Sequence, residues 1–364
     1  MNILADKVVR VVRRKAEALY GQLFFDTDRT LAAMALRPFE LHLELTNWCN
    51  ADCVFCPYHF QERPKQFMSD EVFQKAVGDF VEAGGGSVGL TPIVGEALID
   101  PKFLNRVHYL RSQPGIDRIF LTTNAILLDR VGVENILTSG VTTLNISTAS
   151  FDADNYRRIY RSPAYERMRR NVASLVKENA RLGNPVNISI GLRTDRPLVE
   201  VMRDPDFQAI LEYRPAVDFT WSFTSAGGRV TRETLPAAMK LRVAPPKKEP
   251  CVSLYNGPIV LPDGDVLACS CVAAMDAVPD LLIGNVLREK LLDIYAGTRL
   301  QEIRKQFSPT GEPLNDTCST CEMYRDLELY RTKEGRTRAE LNVRRHSGER
   351  ISRPDTAAHI FQGG

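Results

Sequence analysis

Short apolar runs recur along residues 40–223, and stretches with a helical hydrophobic period separate them. The strand candidates lie at 40–46, 87–91, 118–123, 142–147, 186–192 and 217–223. A helix is predicted after the first strand, because Ser69 is a favourable N-cap and the acidic Asp70 and Glu71 follow it. Further helices are predicted at 100–113, 129–139, 152–182 with a break at Pro163, and 204–213.

This alternation of strands and helices predicts an α/β fold with a parallel sheet. A partial (β/α)6 barrel gathers the strand ends, and the loops that follow them, at one face. An open doubly wound sheet fits the same alternation. In both architectures the loop after residue 46 belongs to the face where functional residues collect.

The pattern changes near residues 242–250, a linker rich in Pro and Lys. Beyond it we predict a β-hairpin around Asp263–Gly264 and one or two helices over 284–307. From residue 331 the chain is basic and poor in large apolar residues, which indicates a partly ordered extension. We therefore divide the chain into an N-terminal helical extension (1–39), a barrel (40–240), a small hairpin-plus-helix domain (241–329) and a polar C-terminal tail (330–364).

Composition and charge exclude several classes of protein. The net charge of +2 over 364 residues favours neither a nucleic acid nor an acidic partner. No apolar stretch approaches the roughly 20 residues of a membrane span, and the N-terminus lacks the features of a secretory signal. The N-terminal segment instead predicts a basic amphipathic helix that docks on the domain, with adhesion to a membrane surface as the alternative. We expect a cytoplasmic protein, in which clustered cysteines indicate metal binding or catalysis.

Three cysteines, Cys49, Cys53 and Cys56, follow the first predicted strand. Their close spacing fits a disulfide fragment, a zinc site or an iron–sulfur cluster. A structural zinc site needs a fourth ligand, and His59 comes only three residues after Cys56 with Pro57 between them. A [4Fe–4S] cluster held by three thiolates leaves one iron without a protein ligand, which is useful only when another molecule binds it.

The run from Cys49 to Cys56, with Phe55 before the last cysteine, resembles the signature of the radical S-adenosylmethionine (SAM) enzymes. In that family SAM chelates the open iron through its amino and carboxylate groups. Reductive cleavage of SAM then gives a 5′-deoxyadenosyl radical that abstracts a substrate hydrogen. The resemblance implies that Phe55 packs near the adenine of SAM, with Tyr58 close by.

Further motifs of this family occur in the same order along residues 40–223. Ala149 stands where the family's fourth-strand pattern has Asp, and Val94 replaces the first glycine of its Gly-Gly-Glu segment. The residues that the resemblance implies in SAM binding, each at or just beyond a predicted strand end, are Gly95, Glu96, Asn124, Ser147 and Arg193.

The remaining five cysteines lie beyond the linker. This region resembles the SPASM or shortened "twitch" domain of radical SAM enzymes, which binds auxiliary [4Fe–4S] clusters. Because no cysteine follows Cys321, we expect one auxiliary cluster, with zinc as the alternative. The ligands that the resemblance implies are Cys251, Cys269, Cys318 and Cys321.

The fifth of these cysteines, Cys271, is left over. Cys271 is interpreted as a buried thiol or as an alternative ligand. The third alternative is a catalytic role, in which its thiol returns a hydrogen atom to a substrate radical. The latter would make the protein a radical epimerase.

The resemblance implies an oxidoreductase that dehydrogenates a small polar substrate, such as a sugar, aminocyclitol or nucleoside, with the auxiliary cluster as electron acceptor. A flavodoxin or ferredoxin is the expected electron donor. Peptide modification is an alternative, weakened because only 48 residues precede the first cysteine. A binding or regulatory protein without turnover is the second class considered. No catalytic base is assigned.

Overall fold

The computed structural model describes residues 26–91, 93–269, 275–276, 278–308 and 313–349, together with residues 9, 11–13, 15–16 and 19 near the N-terminus. Within these residues, no helix is long and apolar enough to cross a membrane. The seven described residues near the N-terminus are exposed, Val9 and Leu19 among them, so the expected docking of this segment is not observed for them.

Six parallel strands form one side of the main sheet, and they lie side by side in the order of the sequence. A doubly wound sheet reverses its strand order at a switch point, so the sequential order identifies the partial barrel. All six predicted strands are confirmed within a few residues at each end. They are β1 (Glu40–Leu43), β2 (Gly86–Gly89), β3 (Ile116–Thr123), β4 (Thr143–Thr148), β5 (Asn187–Arg193) and β6 (Ala216–Thr220).

The connecting segments are largely helical, and their ends follow local sequence signals. Ser69 accepts a hydrogen bond from the Val72 amide at 3.1 Å and caps the first crossover helix, as predicted. The long helical stretch is interrupted between Tyr160 and Tyr165, where Arg161 adopts the left-handed conformation. Gly132, at a φ of +92°, divides the helix predicted at 129–139.

The helices of this half are α1 (Thr27–Ala35), α2 (Asp70–Glu82), α3 (Phe103–Ser112), α4 (Leu128–Val131), α5 (Val133–Thr138), α6 (Ala153–Tyr160), α7 (Tyr165–Arg181), α8 (Leu198–Val201) and α9 (Pro205–Leu211).

The two faces of the sheet differ in polarity. On the face toward the helices, Leu121, Leu144 and Ile190 are at most 2% exposed. The opposite face is polar: Ser189 donates a hydrogen bond to Asn145 at 3.0 Å, and Asn145 donates to Thr122 at 3.3 Å. Because side chains alternate along a strand, this second face lines the interior of the barrel.

The C-terminal part continues the same sheet. The hairpin predicted around Asp263–Gly264 is present, and its first strand pairs with β1 in parallel. Gly257 passes so close to β1 that a Cβ there would lie 1.7 Å from the Glu40 carbonyl oxygen. The elements of this part are β7 (Ser222–Phe223), β8 (Lys240–Leu241), α10 (Ser253–Asn256), β9 (Ile259–Val260), β10 (Asp265–Leu267), β11 (Leu282–Asn285), α11 (Leu291–Ala296), α12 (Thr298–Lys305), α13 (Asp316–Ser319), α14 (Glu328–Arg331) and α15 (Lys333–His346).

The expectation of a polar extension from residue 330 is wrong for α15. Its polar residues Arg338, Asn342 and Arg345 are at most 5% exposed, because they contact partners on other segments rather than solvent. Asn342 accepts a hydrogen bond from the buried Arg37 guanidinium at 2.8 Å and donates to the Ala33 carbonyl at 2.8 Å. Polar contacts inside the fold therefore supplement the two buried apolar residues of this helix, Ala339 and Leu341.

Replacing Asn342 by Ala is expected to lower the free energy of unfolding by about 2 kcal/mol, because the buried Arg37 guanidinium loses a hydrogen-bond acceptor. The matched control on the same helix is Glu340→Ala, whose side chain is exposed. Urea denaturation monitored by circular dichroism measures both. Equal stability of the two variants would mean that α15 does not contribute to the fold through this contact.

Candidate active site

The loop after β1 carries the first three cysteines and is fixed against the end of α6. The Asp52 amide donates to the Tyr160 carbonyl at 3.3 Å, and the Val54 amide donates to the Ile159 carbonyl at 2.9 Å. A 3₁₀ turn, Pro57–Phe60, follows directly. The three cysteines therefore lie on a short, anchored loop at the carboxyl end of the barrel.

The three thiols of this loop are buried close enough together to affect one another's pKa values. Burial raises the pKa of Cys49 to about 12 and of Cys56 to about 11, and it raises the pKa of Cys53 well above its ordinary value. The neighbouring thiols raise the pKa of Cys53 further, whereas Arg193 favours its thiolate. A bound iron–sulfur cluster would hold these sulfurs as thiolates and would supply positive charge that offsets the cost of burying them.

His59, the fourth zinc ligand that the sequence offers, has another partner in the structure. His59 directs its Nδ1 at the Asp52 carboxylate, 3.1 Å away. Three thiolates that bind three different irons of one cluster fit this donor set.

Glu96 ties together the loops after β1, β2 and β3. Its amide donates to the Trp48 carbonyl at 2.7 Å, one residue before the first cysteine. Its buried carboxylate accepts from the Thr123 hydroxyl at 2.8 Å and from the Asn124 amide at 2.7 Å. Burial raises the pKa of this carboxyl group. Gly95, at a φ of +91°, allows the approach, because a Cβ would lie 2.3 Å from the Thr46 carbonyl oxygen.

Asn124 lies beside the first cysteine, as its motif implies. Its Nδ2 donates to Asn50 Oδ1 at 2.7 Å and is 4.0 Å from Cys49 Sγ. Its Oδ1 accepts from the Ile126 amide at 3.1 Å, which fixes the orientation of the amide group. The third strand therefore places a polar side chain directly against the cysteine loop.

The candidate residues of β4 and β5 form a chain beside the same loop. Arg193 donates to the Ser147 hydroxyl at 2.8 Å, and its guanidinium carbon lies 5.9 Å from the Phe55 ring centre. Phe55 also stacks on Phe223, with ring centres 4.9 Å apart. The structure thus brings Phe55, Ser147 and Arg193 together. Ala149, which replaces the family's Asp, is fully buried and packs in the core.

Tyr58 has different surroundings from Phe55. Its ring lies under the Lys65 ammonium, 4.9 Å from Nζ, and the same ammonium lies 5.7 Å from the ring of the exposed Trp48. Tyr58 therefore belongs to an aromatic surface with Trp48, whereas Phe55 packs beside Arg193.

The four C-terminal cysteines that we predicted as ligands line one cavity. Asn315 caps the short helix α13 and fixes the Cys318 amide through a 2.8 Å hydrogen bond. Burial raises the pKa of Cys318 to about 12 and raises that of Cys251. Cys271 lies outside the described residues. The lining residues are Cys251, Leu254, Cys269, Leu281, Phe307, Thr317, Cys318, Cys321 and Tyr324.

Sequence reasoning missed a buried ion pair at the carboxyl end of β1. Glu44 accepts from Arg63 at 2.8 Å, and by alternation from His42 it faces the barrel interior. Glu44 Oε1 and Arg63 Nη1 are buried and have no hydrogen-bond partner in the described part of the chain. Burial raises the pKa of Glu44 to about 7 despite the adjacent guanidinium. No local pattern could have found this pair, which is 19 residues apart in sequence.

Two family models match the chain, in the regions that carry the two groups of cysteines. The model of the radical SAM superfamily matches residues 43–205. The chain therefore contains a radical SAM domain. The model of the SPASM iron–sulfur cluster-binding domain matches residues 251–322. These two domains imply a [4Fe–4S] cluster with SAM in the barrel and one auxiliary [4Fe–4S] cluster, and the two cysteine sets fit them.

Curated relatives match only part of this radical SAM chain. The GTP 3′,8-cyclase of Mannheimia succiniciproducens is 29% identical over 136 residues, which are 36% of this chain and 40% of the relative. The GTP 3′,8-cyclase of Pectobacterium atrosepticum is 31% identical over 131 residues, 35% of this chain and 39% of the relative. The chain thus spans about two fifths of the length of these relatives.

Two solved structures of other proteins share the fold over most of the chain. Streptococcus suis SuiB bound to the precursor peptide SuiA has a TM-score of 0.55 and 14% identity, covering 79% of this chain and 70% of SuiB. The structure of anSMEcpe with bound AdoMet has a TM-score of 0.53 and 14% identity, covering 85% of this chain and 97% of that one. At this identity the likeness shows the fold alone.

Replacing Glu96 by Gln is expected to lower the free energy of unfolding by roughly 1–3 kcal/mol and to reduce iron retention. The reason is that an amide NH2 would face one of the donors that now bind the carboxylate. Urea denaturation and iron per chain after desalting measure the two effects. The matched control is Glu71→Gln at an exposed position; if both variants behave alike, Glu96 does not hold the loops together.

The Glu44 carboxyl group predicts a pH-dependent stability. The pKa of this group is about 7 in the folded state and 4.5 ordinarily, so the folded state binds its proton more tightly. The resulting stabilisation is fully present below pH 4.5 and is lost as the pH rises through about 7. Relative to Glu44→Gln, the wild-type free energy of unfolding should therefore fall by up to about 3 kcal/mol between these pH values. Urea denaturation at stepped pH measures this difference. Parallel stability curves would contradict it.

Proposed function

We propose that this radical SAM protein dehydrogenates a small polar substrate and passes the substrate electron to an auxiliary cluster. The observation that carries the proposal is the gathering of three thiols with Asn124, Ser147 and Arg193 at the strand ends, beside a polar barrel interior. When bound, the first cluster and SAM supply the radical that abstracts a substrate hydrogen. A flavodoxin or ferredoxin supplies the electron, in the cytoplasm.

In this proposal the cysteine loop holds the first cluster through Cys49, Cys53 and Cys56. Arg193, fixed by Ser147, pairs with the carboxylate of SAM, since a guanidinium binds a carboxylate with charge-assisted hydrogen bonds. Phe55 packs against the adenine, with Tyr58 near it in the family's arrangement. Gly95 and Glu96 bind the amino group through backbone atoms, and Asn124 contacts SAM beside Cys49.

The auxiliary cluster is held by Cys251, Cys269, Cys318 and Cys321. The other lining residues of their cavity are mainly apolar, and the Thr317 hydroxyl is engaged by Asp280 at 2.9 Å. Thiolates are therefore the ligands that this cavity offers to a cluster. Such a cluster would be the electron acceptor that substrate oxidation requires and redox-neutral radical chemistry does not.

The barrel interior supports a polar substrate of modest size. Thr122, Asn145 and Ser189 are half-buried on its wall and hydrogen-bond to one another. Glu44 Oε1 and Arg63 Nη1 add one acceptor atom and one donor atom without a hydrogen-bond partner within the described residues. A hydroxyl or amino group of a sugar, aminocyclitol or nucleoside satisfies such a pair. The name of the curated relatives refers to a nucleotide, which agrees with this class.

Anaerobic reconstitution of the wild-type chain is expected to give about eight irons per chain, and the Cys251/Cys269/Cys318/Cys321→Ala variant about four. Under dithionite, the wild type should convert SAM to 5′-deoxyadenosine, and Cys49/Cys53/Cys56→Ala should not. Iron assay and liquid chromatography measure the two results.

A screen of polar metabolites by mass spectrometry then identifies the substrate by the loss of two hydrogens. About four irons in both proteins would remove the auxiliary electron acceptor and contradict the dehydrogenase proposal. Absence of 5′-deoxyadenosine from the fully loaded wild type would contradict radical SAM turnover and favour a binding or regulatory protein.

A further inference from the structure

Tyr160 contacts both the cysteine loop and the polar chain of β4 and β5. It is the last residue of α6 and is 1% exposed. Its ring meets Phe55 edge-on, with centres 5.7 Å apart, and stacks on Tyr156 with centres 5.1 Å apart. Its carbonyl accepts the Asp52 amide between the first and second cysteines.

The Tyr160 hydroxyl extends this contact to Arg193. It shares a 2.7 Å hydrogen bond with the Ser147 hydroxyl, which in turn accepts from the Arg193 guanidinium at 2.8 Å. Arg193 faces the loop from the other side, because its guanidinium carbon lies 5.9 Å from the centre of the Phe55 ring. Tyr160 therefore closes a ring of contacts that begins and ends at the cysteine loop.

The hydroxyl acts in this ring as a hydrogen-bonding group. A tyrosine hydroxyl has an ordinary pKa of about 10, and burial raises the pKa of Tyr160 further, so the hydroxyl carries its proton at neutral pH. Ser147 Oγ accepts a hydrogen bond from Arg193 and shares a second hydrogen bond with the Tyr160 hydroxyl. These two hydrogen bonds fix the orientation of the Ser147 side chain. An arginine side chain has many rotamers, and fixing it before a ligand arrives lowers the entropic cost of binding.

We propose that Tyr160 is a positioning residue that, through Ser147, holds Arg193 ready for the carboxylate of SAM. The role rests on the proposed function, because it assigns Arg193 to SAM. The neighbouring Tyr165 gives a matched comparison: it lies on the next helix, and its hydroxyl donates to Asp206 at 3.2 Å rather than to the chain that ends at Arg193.

The test compares Tyr160→Phe with Tyr165→Phe in the reconstituted full-length chain. SAM is titrated against the dithionite-reduced protein, and the change that SAM causes in the electron paramagnetic resonance spectrum gives the apparent Kd. Tyr160→Phe should raise this Kd about 5-fold, the effect of one lost hydrogen bond, with iron per chain and melting temperature equal to those of Tyr165→Phe. In a double-mutant cycle, Ser147→Ala and Tyr160→Phe should be non-additive.

An unchanged Kd in Tyr160→Phe would overturn the positioning role, and so would full additivity with Ser147→Ala. Loss of iron without a change in the affinity of the remaining cluster for SAM would overturn it too, because Tyr160 would then act on the loop alone. If SAM leaves the wild-type spectrum unchanged, the proposed function fails first, and this result is distinct from a defect confined to the variant.

Discussion

The buried carboxylate of Glu96 is the contact on which the arrangement of the site depends. Parallel strands bring their carboxyl ends to one edge of the sheet, but they do not fix the loops that follow. Glu96 does so for three of them, because its amide binds the Trp48 carbonyl while its carboxylate binds Thr123 and Asn124. Asn124 in turn lies beside the thiol of Cys49. The position of this first thiol therefore depends on Glu96, which is 47 residues later in the chain. A carboxylate without solvent is costly to bury, and here three donors offset part of that cost.

The polarity of the sheet explains how one scaffold serves both packing and chemistry. Its outer face is apolar and carries the helices, whereas its inner face is polar and half-buried. The C-terminal part adds β9, β10 and β11 to the β1 edge of the same sheet. The second cysteine cavity is therefore built on an extension of the barrel rather than on a separate sheet. This continuity rests on the close passage of Gly257 and on the hydrogen bond from the Glu44 amide to the Val260 carbonyl at 3.0 Å.

Local signals in the sequence predicted the six strands, the Ser69 cap, the break before Tyr165 and the hairpin at Asp263–Gly264. Motif resemblance predicted which cysteines group together. Neither source revealed α15, because much of its packing uses charged or amide groups whose partners lie elsewhere in the chain, as Asn342 and Arg37 show. Glu44 with Arg63, and Tyr160 with Ser147, escaped for the same reason: each pair is joined by the fold and leaves no periodic pattern. Tyr58 kept its motif position but lies against Lys65 and Trp48, which spacing alone does not determine.

The loop after β1 is proposed to hold a cluster with one iron left open for SAM. Mössbauer spectroscopy of the chain reconstituted with ⁵⁷Fe tests it most directly, because each iron contributes separately to the spectrum. Addition of SAM should shift the signal of one iron out of about eight and leave the others unchanged. A spectrum without any change on addition of SAM, or a first site filled by zinc, would contradict the account.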